Sequence, residues 1–431
     1  MQLTAPATGT TPIDIFEERE SSVRSYCRSF PALFASAKGS LITDAEGRSY
    51  IDFLAGAGAL NYGHSNDTLK AALLEYISND GLTHGLDLHT VAKEMFLREL
   101  TTRILEPRGL DYKVQFTGPT GANAVEAALK VVRRATGRTG VFAFMGGYHG
   151  HSLGALAATA NRTHRAAAGT DLGGVTFIPF PAGPMRDVDT LAYLRAILED
   201  AHSGIEIPAA VILETVQAEG GVNVAPVEWL RGLSAICAEY GILLVVDEIQ
   251  TGCGRTGPFF SFERAGIVPH VVTLSKSISG YGLPMALTLM RPELDVWEPG
   301  EHTGTFRGNQ LAFVTGAAAL AMFEEEHFTE RVEENATYIA RELFETIVML
   351  DGRIEIRGIG MIWGIDIAAI DPTGALAKEI GRDCFNRGLI IERTGRNDTV
   401  IKLLPPLNID RANLRLGLGI LAASVSSCLH R

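Results

Sequence analysis

The chain predicts an α/β fold, with a large domain built on a mostly parallel sheet and a smaller α+β domain after it. Three observations carry this. From about residue 66 to 320, short apolar runs alternate with helix-length amphipathic stretches, the pattern of a parallel sheet covered on both faces. Two of those runs deliver charged side chains: Ile242-Leu243-Leu244-Val245-Val246 leads into Asp247-Glu248, and Val271-Val272-Thr273-Leu274 leads past Ser275 to Lys276. After about residue 321 a long charged helix and hairpin-like strands replace the alternation.

Taken in order, residues 1–20 read as a loosely docked arm. Residues 39–53 read as a β-hairpin with its turn at 44–47, where Asp44-Ala45-Glu46-Gly47 interrupts two apolar runs. Candidate strands follow at 114–117, 140–144, 175–178, 210–214, 242–247 and 271–274. Candidate helices stand at 122–135, 189–200 and 228–240. Beyond them come a helix over 324–349, hairpin strands within 354–368, and a last helix from 410 to about 426. The expected division is 1–65 as arm and hairpin joining the small domain, 66–320 as the large domain, and 321–431 as the small domain.

Composition narrows the function. A formal charge of −12 over 431 residues argues against nucleic acid or an anionic membrane as partner. Five cysteines without a CxxC read as reduced thiols rather than a disulfide framework. Residues 1–12 are polar and Thr-rich without an apolar signal core, and no uninterrupted apolar stretch approaches the ~20 residues of a membrane helix. The expectation is a cytoplasmic protein.

Ligands of open α/β sheets bind at the carboxyl ends of the strands, where Asp247 and Lys276 are expected. A lone lysine after a strand is ordinarily a solvated charge. A lysine amine beside a fixed carboxylate fits pyridoxal phosphate, whose carbonyl carbon the amine bonds and whose pyridine nitrogen the carboxylate keeps protonated. A phosphate cradle should accompany them. Thr117-Gly118-Pro119-Thr120-Gly121-Ala122 follows a strand and opens a helix, so its backbone N–H groups and the helix dipole favour an anion. Tyr148, flanked by Gly147 and His149-Gly150 at the same edge, offers a ring to stack on a pyridine. His149 and His151 show no carboxylate or cysteine partner in the sequence, so no metal site is expected.

These residues carry a resemblance. Asp247-Glu248-Ile249-Gln250-Thr251-Gly252-Cys253-Gly254-Arg255-Thr256-Gly257, with Lys276, Gly280 and Pro284, resembles the class-III aminotransferases, as do Tyr148-His149-Gly150 and the segment from Glu214 to Gly221. The resemblance implies the fold type I of PLP-dependent transferases and a small-molecule amino donor and acceptor. By it, Lys276 is the Schiff-base lysine, Asp247 pairs with the pyridine nitrogen, and Gln250 lies near the ring hydroxyl. Tyr148 stacks on the ring, and Gly121 and Ala122 bind phosphate through backbone amides. His302-Thr303-Gly304-Thr305-Phe306 resembles the segment whose threonine reaches the neighbouring subunit's phosphate, which implies a homodimer. Glu219 matches a glutamate that screens a mobile arginine in relatives using both ω-amines and glutamate. Lys402 stands in that arginine's place, as a substrate-binding lysine or a solvated strand-end one. Arg307 is then an alternative carboxylate clamp, since its fork grips a carboxylate better than a lysine does.

A narrower resemblance runs through Leu54–His64, Thr83-His84-Gly85-Leu86-Asp87, Thr305-Phe306-Arg307-Gly308-Asn309, the stretch from Ser275 to Thr288, and Lys402-Leu403-Leu404-Pro405-Pro406-Leu407. These are similar to the diaminobutyrate–2-oxoglutarate aminotransferases of ectoine biosynthesis. The implied reaction joins L-glutamate and L-aspartate 4-semialdehyde to give L-2,4-diaminobutyrate and 2-oxoglutarate. Other ω-amines (ornithine, putrescine, 4-aminobutyrate) are the alternative substrates, and a siderophore or peptide antibiotic is the alternative destination. Ala218 and His270 depart from the family's usual Gly and Asp.

Overall fold

The computed structural model describes residues 14–430. The first thirteen residues of the expected arm lie outside the described residues; Asp14–Arg19 forms a short helix. The central sheet has seven strands, in the order Lys113–Phe116, Leu287–Met290, Val271–Leu274, Leu243–Asp247, Ala210–Leu213, Val141–Phe144 and Val175–Ile178. Leu287–Met290 runs antiparallel to both neighbours, and the other six strands are parallel. Side chains alternate across the sheet. Leu244 and Val246 enter the larger core, whereas Leu243 and Val245 pack with Val125, Leu129 and Val132 of the Gly121–Thr136 helix. Both faces being apolar explains why these strands read as continuous hydrophobic runs.

Each expected strand forms, with ends displaced by at most one residue. Leu287–Met290 escapes the sequence reading because it is four residues long and follows a Gly/Pro-rich stretch without a helix. That missing helix is also why it is antiparallel. A parallel return needs a long crossover, and only the 3₁₀ turn Lys276–Ser279 stands between it and the preceding strand.

The hairpin forms as Leu41–Asp44 and Ser49–Asp52, with Asp44 Oδ1 accepting the Glu46 and Arg48 amides at 3.0 and 2.9 Å. Its second strand pairs in parallel with Leu389–Ile390, tying the start of the chain to its last third. Glu355–Ile359, Ile362–Asp366, Val400–Leu403 and Glu392–Thr394 make a further antiparallel sheet. The expected helix over 324–349 is Glu326–Glu342 continued by a wide turn, Leu343–Ile347, and a separate apolar helix, Gln310–Phe323, precedes it. The final helix, Arg411–Leu429, is capped by Asp410 and is apolar and long enough to span a bilayer by length and composition. Its Leu414, Leu418, Leu421 and Val425, at helical spacing, pack into the main core.

Candidate active site

The parallel register places Asp247 opposite Thr273, so Asp247 and Lys276 leave adjacent strand ends. Asp247 is buried and held at several points. Its Oδ1 accepts the Ile249 amide at 3.0 Å and the Thr273 hydroxyl at 3.1 Å, and its Oδ2 lies 2.7 Å from His149 Nδ1. The sequence expectation that His149 has no carboxylate partner is thereby corrected: the partner is 98 positions away, and only the sheet brings it close. Burial opposes charge on His149, but the Asp247 carboxylate outweighs it and raises the imidazole pKa. Glu214 completes this buried group. Its two carboxylate oxygens accept the Tyr148 and Ala218 amides at 2.9 and 3.1 Å. Burial pushes its pKa up to about 7.

Lys276 opens the 3₁₀ turn with φ of +53°, a left-handed conformation that costs energy for a side chain other than glycine. The surroundings hold it there. Ser277 Oγ donates to the Gly58 carbonyl at 2.8 Å and accepts the Asn61 amide at 3.2 Å, and Lys276 Nζ donates to the Ala57 carbonyl at 2.9 Å. Burial lowers the Lys276 pKa; Glu219 works against that and Lys402 adds to it. A lowered pKa favours the neutral amine, the form that acts as nucleophile or proton acceptor.

The Gly-rich turn fits a phosphate. Thr120 caps the helix Gly121–Thr136, and among the described residues the N–H groups of Gly121 and Ala122 make no hydrogen bond, leaving first-turn donors for an anion. Gly150, at φ of +123°, packs on Ala122 so tightly that a Cβ would sit 2.7 Å from the Ala122 Cβ. This contact locks the Tyr148 loop to the turn. The Tyr148 ring lies 5.5 Å from His151 and 5.9 Å from His164.

A second charged group lies beside Lys276. Lys402 has no exposed surface, and its ammonium meets Glu219 Oε1 at 2.5 Å, Glu392 Oε1 at 3.0 Å and Gln250 Oε1 at 3.1 Å. Gln250 Nε2 returns a bond to Glu219 at 3.2 Å and another to the Ala57 carbonyl at 3.0 Å. The reading of Lys402 as a solvated strand-end lysine is therefore corrected. The pairing of Val400–Leu403 with Ile362–Asp366 and Glu392–Thr394 puts it inside a sheet, facing carboxylates. Burial opposes charge on Glu219, yet Lys402 overcomes it and brings the carboxyl down to about 2.

Lys276, Asp247, Glu219, Gln250 and Lys402 thus converge, with Tyr148 and the Gly121–Ala122 turn at the same sheet edge. Within one chain Thr305 and Arg307 do not bond to this group. Thr305 is exposed, and Arg307 donates to the His302 carbonyl at 3.2 Å. Sequence reasoning missed His149, Glu214 and Glu392. Two signals were available: His149 neighbours Tyr148 at a strand end, and Glu214 closes an apolar run. His270 takes the Leu244 amide on Nδ1 at 3.0 Å, and burial lowers its pKa to about 4.

The described arrangement presents an amine, a buried carboxylate with its own imidazole support, free helix-start amides and a flat aromatic ring, which together suit a phosphorylated pyridine aldehyde. Comparison with known proteins agrees. The family model for aminotransferase class-III matches residues 24–425. The chain is 52% identical over 418 residues to the diaminobutyrate–2-oxoglutarate transaminase of Wolinella succinogenes, covering 96% of each. It is 50% identical to the enzyme of that name from Halalkalibacterium halodurans, over 97% of this chain and 98% of that one. It is also 53% identical to an uncharacterized aminotransferase of Sinorhizobium fredii, over 96% of this chain and 92% of that one. Among solved structures, the ornithine aminotransferase of Toxoplasma gondii, with PLP at partial occupancy, superposes with TM-score 0.84 at 25% identity, covering 97% and 94% of the two chains. An S-selective transaminase from Arthrobacter shares the fold with TM-score 0.86 at 23% identity, covering 96% and 97%. The chain belongs to the class-III aminotransferases, a family of pyridoxal phosphate-dependent enzymes.

Proposed function

We propose that this enzyme transfers the amino group of L-glutamate to L-aspartate 4-semialdehyde, giving L-2,4-diaminobutyrate and 2-oxoglutarate. The observation that carries the reading is about 50% identity, over nearly the whole chain, to several transaminases named for this reaction. Pyridoxal phosphate, when bound, supplies an electron sink for the carbon losing its proton. In this reading Lys276 anchors the cofactor and carries a proton at Nζ to and from the amino-bearing carbon. Asp247, backed by His149, holds the pyridine nitrogen charged, and the Gly121 and Ala122 amides hold the phosphate. Tyr148 and Gln250 orient the ring.

Thr305 and Arg307 act across a homodimer interface, Thr305 on the neighbouring phosphate and Arg307 on a substrate carboxylate. Support comes from the exposure of Thr305 in the single chain and from the exposed apolar residues Phe306, Leu86, Leu88 and Val91. The division at 65/66 and 320/321, a cytoplasmic location and a place in ectoine biosynthesis complete the proposal.

The test is a product assay with glutamate as donor and an aldehyde panel. The reading expects aspartate semialdehyde to give diaminobutyrate with the highest kcat/KM. A larger value for glutamate semialdehyde or succinate semialdehyde would assign the enzyme to ornithine or 4-aminobutyrate instead.

A further inference from the structure

The Lys402 cluster is out of charge balance. Its single ammonium faces two carboxylates, the buried Glu392 and the partly exposed Glu219. Nζ hydrogen-bonds Glu219 Oε1 and Gln250 Oε1, whereas Glu392 Oε1, 3.0 Å away, pairs with it by charge and receives no hydrogen bond among the described residues. Lys402 therefore acts as a fixed counter-ion that leaves Glu392 incompletely satisfied. Lys276 is the other cation acting on both carboxylates; with its amine bonded to the cofactor in the proposed function, one carboxylate charge is left without a cation, which is costly unless something supplies it.

Strand register identifies the surplus group. Glu392 stands opposite Lys402 and Thr394 opposite Val400, and as alternate residues of one strand Glu392 and Thr394 share a face. Thr394 uses that face to bond Glu219, through Oγ1 to the carbonyl at 2.7 Å and to Oε2 at 3.3 Å. Glu392 faces the ammonium with Oε1, while Oε2 meets the Tyr26 hydroxyl at 3.4 Å, a long contact from a residue that is 52% exposed. That oxygen keeps acceptor capacity on the side of the half-open tyrosine. The charges of Glu219, Glu392 and Lys402 all act on Lys276, so the surplus lies beside the reactive amine.

We infer that Glu392 determines donor specificity: its carboxylate supplies the unbalanced charge that pairs with a second ammonium on the substrate, the one not transferred. The inference rests on the diaminobutyrate reading, in which the γ-amine reacts and the α-ammonium remains. Burial raises the Glu392 pKa and Lys402 only partly offsets this, so an arriving cation has something to stabilise. Glutamate, with one amine, makes no such demand on Glu392.

4-Aminobutyrate lacks only the α-ammonium of 2,4-diaminobutyrate, so the two form a matched pair. Single-turnover rates of the PLP-loaded enzyme are measured with both, and with ornithine and glutamate. Wild type should prefer each diamino acid to 4-aminobutyrate. Glu392→Gln should cut kcat/KM for diaminobutyrate and ornithine by about 10- to 100-fold, the worth of one hydrogen bond to a charged group, and leave glutamate and 4-aminobutyrate within about threefold. Glu392→Asp, which keeps the charge, should retain the preference. A uniform loss on all four donors would show that Glu392 only supports Lys402, and overturns the inference. So does a wild type with no preference for diamino acids, a result that needs no variant to fold. If wild type ignores diaminobutyrate but prefers ornithine through Glu392, the substrate reading fails and the role of Glu392 stands.

Discussion

Asp247 is a carboxylate that the fold holds still. An amide, a hydroxyl and an imidazole fix it, and the imidazole can carry the compensating charge. Asp247→Asn keeps the shape and loses the charge. It is expected to slow transamination by two to three orders of magnitude, about 3–4 kcal/mol of barrier, and near-normal single-turnover rates would remove the proposed role. Glu214 gives a pH signature. Its carboxyl is raised to about 7 by burial, so the folded state holds a proton that the unfolded chain releases near 4.5. Its stabilising contribution is complete below about pH 4.5 and is lost as pH rises through about 7. The urea unfolding free energy of wild type should therefore fall between pH 5 and 8 relative to Glu214→Gln, by roughly 3 kcal/mol at most; parallel profiles would contradict this. At this scale Asp247 and Lys276 were legible because each ends an apolar run. His149 and Glu392 were not, because their partners are set by sheet neighbours remote in sequence; Glu214 ends an apolar run too, but nothing local marks it as the acceptor of the Tyr148 amide 66 positions away.

Two strand-end turns make up the cofactor edge, and Gly150 is where they touch. Its left-handed φ and the Ala122 methyl leave no room for a side chain. Gly150→Ala is expected to cost about 2–3 kcal/mol, through backbone strain and overpacking, and to weaken cofactor retention as the turn shifts. Denaturation midpoints and a cofactor titration measure both effects, and wild-type values for both would show that the two turns are independent. The parallel strands were legible as elements because burial on both faces makes them uniformly apolar. Leu287–Met290 was not, since a four-residue strand gives too little pattern. Nor was the pairing of Ser49–Asp52 with Leu389–Ile390, which joins segments far apart in the chain.

For the whole molecule, the exposed pair Thr305 and Phe306 and the exposed apolar residues Leu86, Leu88 and Val91 bear on assembly. If Thr305 serves the neighbouring site, mixing inactive Lys276→Ala subunits with Thr305→Ala subunits should create heterodimers with one intact site and recover activity. No recovery in heterodimers confirmed by mass would place Thr305 at its own chain's site. The account as a whole depends on Lys276 carrying the cofactor, since Asp247, the Gly121–Ala122 turn and the Glu219–Lys402–Glu392 group take their roles from their positions around it. The direct measurement is borohydride reduction of the PLP-loaded enzyme followed by peptide mapping. The account predicts the reduced pyridoxyl group on Lys276, with no incorporation in Lys276→Ala; the label on another lysine, Lys402 included, would contradict it.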